Sequence, residues 1–75
     1  MVTEQYIESR GFKVIESQDF RDIDSSFTLN TYSDGEFTIS GGYWEYVIKD
    51  KNGKEVFRGW WETVLEFDKT IEKLR

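Results

Sequence analysis

The clearest hydrophobic periodicity in the chain lies near its C-terminus. Four apolar residues there follow a helical spacing and draw one stripe along a helix: Val64, Phe67, Ile71 and Leu74. Thr63 and Glu66 have the spacing of a capping box, in which each side chain bonds a free backbone N–H at the helix start. The sequence therefore predicts an amphipathic helix over residues 64–75.

A shorter helix is predicted over residues 3–10. Thr3 is a suitable N-cap, and Gly11 suits the left-handed position just beyond the helix end. Phe12 can then fold back as the apolar contact that accompanies such an end. Because a helix this short is marginal in water, we expect it to be held by packing.

Between these helices the chain alternates between apolar and polar residues, which is the pattern of antiparallel strands with one buried face. In one segment Ile23, Phe27 and Leu29 are expected to face the core, and in the next Phe37 and Ile39. A loop is expected from Gln18 to Asp22. We predict strands over residues 12–17, 23–32, 36–40, 43–49 and 54–61.

The last two strands flank an Asn52-Gly53 hairpin signal, but their register is open. A two-residue turn pairs Ile48 with Phe57, whereas a three-residue loop pairs Ile48 with Val56. The difference of one residue exchanges the two faces. We favour the two-residue turn, because it gathers these residues on one side: Trp44, Tyr46, Ile48, Phe57 and Trp61.

These elements together predict one α+β domain over residues 1–75. It has a short N-terminal helix, an antiparallel β-meander of three to five strands, and a C-terminal amphipathic helix packed on one sheet face. Seventy-five residues allow only a thin margin of stability, and the 6 Phe, 4 Tyr and 3 Trp offset this by supplying large buried rings.

The composition argues against catalysis. The chain has no Cys and no His, so it lacks a thiolate metal site and the commonest general base. It has no nucleophile elbow and no phosphate-binding loop. Asp19, Asp22 and Asp24 lack the spacing of a calcium loop and are read as solvated turn acids. We expect no enzyme activity, no catalytic residue, no metal and no cofactor.

The net charge of −5 is concentrated in one stretch. Residues 16–36 contain six acids against Arg21 alone, which makes −5, while the other residues hold nine acids and nine bases. Such a stretch is either a solvated face or an acidic docking surface for a basic partner. The acids are Glu16, Asp19, Asp22, Asp24, Asp34 and Glu36.

Aromatic residues are concentrated between positions 43 and 61: Tyr43, Trp44, Tyr46, Phe57, Trp60 and Trp61. Trp60 and Trp61 are adjacent, so on a strand they point to opposite faces, and only one enters the core. The other is covered by the N-terminal helix or a neighbouring subunit, or serves as a binding anchor. Glu45 and Arg58 are expected on the outward side with Trp60.

The favoured hypothesis is a small non-enzymatic protein-binding module that docks on a basic surface of its target. One version is an inhibitor whose carboxylates take the place of phosphates on a nucleic-acid-binding surface. The alternatives are a self-associating structural subunit, such as a homodimer, and carbohydrate or nucleic-acid binding through sheet aromatics. The acidic balance disfavours nucleic acid. The candidate binding residues are Asp19, Asp22, Asp24, Asp34, Glu36, Glu45, Arg58 and Trp60.

In size, acidity and helix–meander–helix order the chain is similar to small accessory proteins of phages and other mobile elements, which include inhibitors of defence systems. No motif carries this similarity, and it assigns no functional residue. No apolar run approaches the roughly 20 residues that a membrane helix needs. We therefore expect a cytoplasmic protein that does not enter membranes.

Overall fold

The computed structural model describes residues 2–42 and 44–75, and the predicted α+β fold is confirmed. A short helix, a five-stranded antiparallel meander and a second helix follow one another along the chain. Their bounds are α1 Glu4–Ser9, β1 Lys13–Arg21, β2 Ser26–Ser33, β3 Phe37–Gly41, β4 Tyr46–Asp50, β5 Glu55–Gly59 and α2 Val64–Leu74.

The strands lie in the sheet in their chain order, so β1 and β5 form its two edges. Alternate residues of β3 and β4 point to one face of the sheet, where they meet the apolar sides of α1 and α2. The contacts between this face of the sheet and the two helices form the core. Its buried residues are Val2, Ile7, Phe12, Tyr32, Phe37, Ile39, Tyr46, Ile48, Trp61, Phe67 and Ile71.

Both helices begin at the predicted threonine. The Oγ1 atom of Thr3 accepts from the Tyr6 backbone N–H at 3.1 Å, and that of Thr63 accepts from the Glu66 N–H at 3.2 Å. Gly11 has a φ of 94° beyond α1 and directs Phe12, which is fully buried, back onto the core. Of the predicted stripe on α2, Phe67 and Ile71 are buried and Leu74 is partly buried, whereas Val64 is 37% exposed.

A polar contact joins the two helices on their outer side. The Tyr6 hydroxyl donates to an Oδ2 atom of Asp68 at 2.5 Å, and Arg10 pairs with the same carboxylate at 3.0 Å. Arg10 also donates to the Tyr6 hydroxyl, and these bonds raise the pKa of its guanidinium. A surface groove of about 360 Å³ lies beside this cluster, where Arg10 and Asp68 are paired with each other and Arg75 is paired with Asp34.

The predicted loop from Gln18 to Asp22 is wrong, because β1 continues to Arg21. β2 pairs with β3 only at its last two residues, through Tyr32↔Ile39 and Ser33↔Thr38. The residues of β2 before these pairs are bonded to β1 alone. The outer part of this hairpin, residues 16–31, therefore extends from the sheet as a two-stranded arm, which we call the ribbon. Cross-strand contacts rather than a buried face hold it together.

The predicted inward face of residues 23–32 is also wrong. Ile23 lies in the turn between β1 and β2 and is 97% exposed, while Phe27 and Leu29 are half-buried outside the core. In β2 the buried residue is Tyr32, which shares its side of the strand with the polar residues before it. Alternation predicts a buried side only where a strand packs on the core, and the ribbon extends beyond the core.

The favoured register of the last hairpin is confirmed within the sheet, where Tyr46 pairs with Gly59 and Ile48 with Phe57. A bulge then shifts the pairing to Lys49 with Glu55, which is the alternative register. Trp44 was expected inside but is 82% exposed, because β4 begins only at Tyr46. Tyr43, the first residue of the predicted strand, lies outside the described residues.

Within residues 2–42 and 44–75, neither helix has the length and the apolar run that crossing a lipid bilayer would require.

Candidate docking surface

The meander places specific connections at each end of the sheet. The β1–β2 and β3–β4 connections lie at one end, because successive antiparallel strands reverse direction. Gly59 pairs with Tyr46 at the start of β4, so the segment that leads from β5 into α2 lies there too. We call this the ribbon end, since the ribbon extends from it.

Exposed apolar side chains collect at the ribbon end. Among the described residues eight large apolar side chains are exposed, and two of them, Val14 and Ile15, lie at the start of β1 near the opposite end. The other six belong to the ribbon, the β3–β4 connection, and the entry into α2. They are Phe20, Ile23, Trp44, Trp60, Val64 and Leu65.

The tip of the ribbon is both apolar and acidic. Ile23 is the outermost apolar residue, and Asp22 and Asp24 flank it. The turn is held by the Asp22 backbone N–H, which donates to the Ser25 carbonyl at 2.7 Å, and by the Asp22 carboxylate, which accepts from the Ile23 N–H at 2.7 Å. A formed turn therefore presents an isoleucine between two carboxylates.

The two faces of the ribbon differ in chemistry. On one face Ser17 donates to Asn30 and Thr28 donates to Asp19, both at 2.7 Å, so these polar groups satisfy one another. On the other face the rings of Phe20 and Phe27 stack with their centroids 5.1 Å apart. Asp19, a predicted binding residue, is thus part of the cross-strand structure.

Two of the predicted binding acids lie at the opposite end of the sheet. Asp34 and Glu36 occupy the β2–β3 connection, about 25 Å along β2 from the ribbon turn at ~3.4 Å per residue. The Asp34 carboxylate accepts from the Glu36 and Phe37 backbone N–H groups at 2.9 and 2.8 Å, and it also pairs with Arg75. Asp34 thus shapes a turn and anchors the end of α2, and the fold divides the acidic stretch.

The opposite end also carries a basic turn. Residues 49–54 contain Lys49, Lys51 and Lys54 against Asp50, which leaves +2, while residues 19–24 contain three aspartates against Arg21, which leaves −2. The Asp50 carboxylate is bound to the Asn52 and Lys54 backbone N–H groups. This turn lies at the same end of the sheet as Asp34 and Glu36, so that end carries charges of both signs, whereas the ribbon turn is acidic.

Trp60 belongs to a row of stacked rings. The Tyr46 ring lies between Trp60 and Trp61, with centroid distances of 5.0 and 4.5 Å, and Phe57 stacks on Trp61 at 5.1 Å. Trp61 is buried, whereas Trp60 is 40% exposed at the end of the row. Both indoles reach Tyr46 because β5 ends at Gly59, after which strand alternation no longer applies.

Arg58 and Glu45 lie together, as expected, but Arg58 is engaged on both sides. It pairs with Glu45 across the strands and with Glu55 at 2.6 Å on its own strand. The hydrogen bond to Glu55 is the main cause of the raised pKa of Arg58, and the same contact lowers the pKa of Glu55. Arg58 thus adds little net positive charge to the ribbon end.

Several exposed residues of this surface are not predicted by the sequence. Its patterns predict Ile23 and Trp44 in the core, and Val64 in the buried stripe of α2. The isolated position of Ile23 between two aspartates was a usable signal, because turns favour Asp and rarely lie against a core. Within the described ranges, no group of three acidic, His or Cys side chains could hold a metal ion.

Comparison with protein-family models, with curated proteins and with solved structures gives no match for this chain.

Proposed function

We propose that the chain is a non-enzymatic protein-binding module that docks through its ribbon end on a basic surface of a target protein. The observation that carries the proposal is the collection of six exposed apolar side chains at the acidic end of the sheet. Exposed apolar patches mark interaction sites, and large aromatic side chains dominate the energy of such interfaces.

The acids at the ribbon tip support a protein rather than a membrane or a nucleic acid as the partner. Asp22 and Asp24 flank the outermost apolar side chain, so an anionic lipid surface or a phosphate backbone would be repelled there. A surface with Lys and Arg around an apolar depression would be attracted at long range and complementary at contact. An accessory or inhibitory protein of phage type would act in this way, by occupying a surface on its target.

The test removes the ribbon and leaves the core. Ser17 and Asn30 are cross-strand partners, so an Asn-Gly turn between them can replace residues 18–29. No core residue is lost, and circular dichroism with thermal unfolding would establish that the shortened chain folds. Tagged full-length and shortened chains are then used to capture proteins from lysate of the source organism at low and moderate salt.

We expect the full-length chain to retain a stoichiometric protein whose binding weakens as salt rises, and the folded shortened chain to lose it. A full-length variant with Glu36→Gln and Glu72→Gln serves as the matched control, since it removes two exposed acids outside the ribbon end. Equal capture by the shortened chain would contradict the assignment of the ribbon. Absence of any captured protein, together with a dimeric mass in solution, would favour the self-associating subunit instead.

A further inference from the structure

The exposed groups of the ribbon end comprise two indole rings as well as carboxylates and aliphatic side chains. Trp44 is 82% exposed in the β3–β4 connection, and Trp60 is 40% exposed at the outer end of its ring row. The carboxylates of Asp22 and Asp24 lie at the same end, on the ribbon turn. Flat rings at the end of the sheet and anionic groups at the tip of the ribbon are therefore presented at the same end of the molecule.

This combination parallels the two features by which a single strand of nucleic acid is recognised, which are anionic phosphates and flat, unstacked bases. Proteins that bind single strands meet the phosphates with a basic groove and the bases with aromatic side chains or arginine planes. Such a surface complements carboxylates by charge. It complements exposed indoles by stacking and by cation–π contact.

Other basic surfaces fit less completely. A groove that binds duplex DNA through its backbone supplies cations but needs no platform for stacking rings. An acidic side chain alone would suit either kind of groove, so the indoles are the feature that separates them. Because Trp60 is stacked on Tyr46 at 5.0 Å, its ring is held in place before a partner arrives.

We infer that the target surface is one that otherwise binds single-stranded nucleic acid, and that the ribbon end competes for it with carboxylates in place of phosphates and indoles in place of bases. The inference rests on the proposed function, because it names the class of protein that the module binds. It also identifies the competitor, which can be used as a probe without knowledge of the target.

The experiment elutes the captured protein from the immobilised full-length chain with two polyanions. The first is a thymidine oligonucleotide of about 20 residues, long enough to fill the site of a typical single-strand-binding fold. The second is polyaspartate with the same total charge, titrated over the same range of concentrations. We expect the oligonucleotide to release the protein at a concentration at least about tenfold below that of polyaspartate, because it supplies both phosphates and stacking bases.

Variants test the two components separately. Trp44→Ser removes an exposed indole and Leu65→Ser removes an exposed aliphatic side chain from the same end, where Leu65 is 60% exposed. We expect Trp44→Ser to weaken capture more than about fivefold, as loss of one stacking contact predicts, and Leu65→Ser to weaken it by a clearly smaller factor, because only an apolar contact is lost. Asp22→Asn with Asp24→Asn should reduce the salt dependence of capture, while the Glu36→Gln and Glu72→Gln control should not.

Each outcome has a definite meaning. If the full-length chain captures nothing, the proposed function fails and takes this inference with it. If a protein is captured but polyaspartate releases it as readily as the oligonucleotide, the inference is overturned and the proposed function stands. Equal losses from Trp44→Ser and Leu65→Ser would overturn it as well, since a general apolar contact would then explain the binding.

Discussion

The indole N–H of Trp61 donates to Oγ1 of Thr70 at 2.9 Å, and this bond joins the end of the sheet to α2. Trp61 is 2% exposed, so little of its ring, including the N–H, is open to solvent. Thr70 in turn donates to the Glu66 carbonyl at 3.0 Å. A polar contact therefore lies at the edge of the aromatic part of the core and links the segment after β5 directly to α2.

Replacing Thr70 by Val should destabilise the protein. The change keeps the volume but leaves the buried indole N–H without an acceptor, which costs about 1–3 kcal/mol. Thr70→Ser is the matched control, because it keeps the hydroxyl. Urea unfolding of the two variants measures the difference, and equal free energies of unfolding would show that the bond contributes nothing.

Gly41 is expected to tolerate no side chain. It has a φ of 99°, and a Cβ atom there would lie well inside van der Waals contact with the Glu45 carbonyl oxygen. Gly35 has a φ of 94° but open space around it. Gly35→Ala should cost about 1–2 kcal/mol from backbone strain alone, and Gly41→Ala clearly more. Thermal unfolding would refute this if the two variants melted together.

The ribbon should contribute little to global stability. Phe12 is fully buried and meets Phe67 edge to face, so Phe12→Ala should cost about 3–5 kcal/mol. Phe20 is 36% exposed and stacks mainly on Phe27, so Phe20→Ala should cost about 1 kcal/mol. Chemical denaturation measures both values. A Phe20→Ala cost equal to that of Phe12→Ala would mean that the ribbon folds as part of the core.

The contact between Arg58 and Glu55 should be visible in a pH titration. Arg58 holds the pKa of Glu55 below its ordinary value of 4.5. A depressed folded-state pKa stabilises the fold above the ordinary value, and this contribution is lost as the pH falls through the folded-state pKa. In Arg58→Gln the pKa of Glu55 should rise towards 4.5. NMR titration of the carboxyl carbon measures it.

Lys51→Gln is the control for that titration, because Lys51 is an exposed base on the neighbouring turn. A pKa of Glu55 that moved equally in both variants would assign the effect to the general charge of the hairpin. Since both side chains of the pair are about half exposed, salt should also weaken the shift.

The sequence predicted the parts of the fold that depend on neighbouring residues. Thr3 and Thr63 cap the two helices because a cap needs only a hydroxyl and a backbone N–H three residues away. The hairpin around Gly53 has the favoured register where strand pairing is regular. The bulge was not predictable, because the two-residue turn and the three-residue loop are both compatible with the local sequence. The bulge combines their two registers in one hairpin.

The ribbon was missed for a different physical reason. Alternation predicts a strand when one side faces a core, and neither side of residues 16–21 does. Their partners in β2 determine the strand, and those contacts involve polar groups such as Ser17 with Asn30. The prediction that Ile23 lies in the core fails for the same reason, because alternation over residues 23–32 predicts a buried side that the ribbon does not have.

The candidate surface could be predicted only in part. The sequence identified acids and outward-facing aromatic residues, yet Asp34 lies at the opposite end of the sheet from Asp22. Which end a residue occupies depends on how many times the chain reverses before it, so these two aspartates, although close in sequence, are separated by the length of β2. A count of charges along the chain places both in one acidic stretch and does not contain this separation.

Only two residue pairs join β2 to β3, so the length of the ribbon can change without a change in the rest of the sheet. Each pair added to β1 and β2 lengthens the ribbon by about 3.4 Å and exchanges its two faces, while two added pairs restore the faces. None of these changes touches β3 or the helices, because β2 leaves β3 after Tyr32. The distance between the tip and Trp44 can therefore change in steps, which would let one core serve targets whose contact sites are spaced differently.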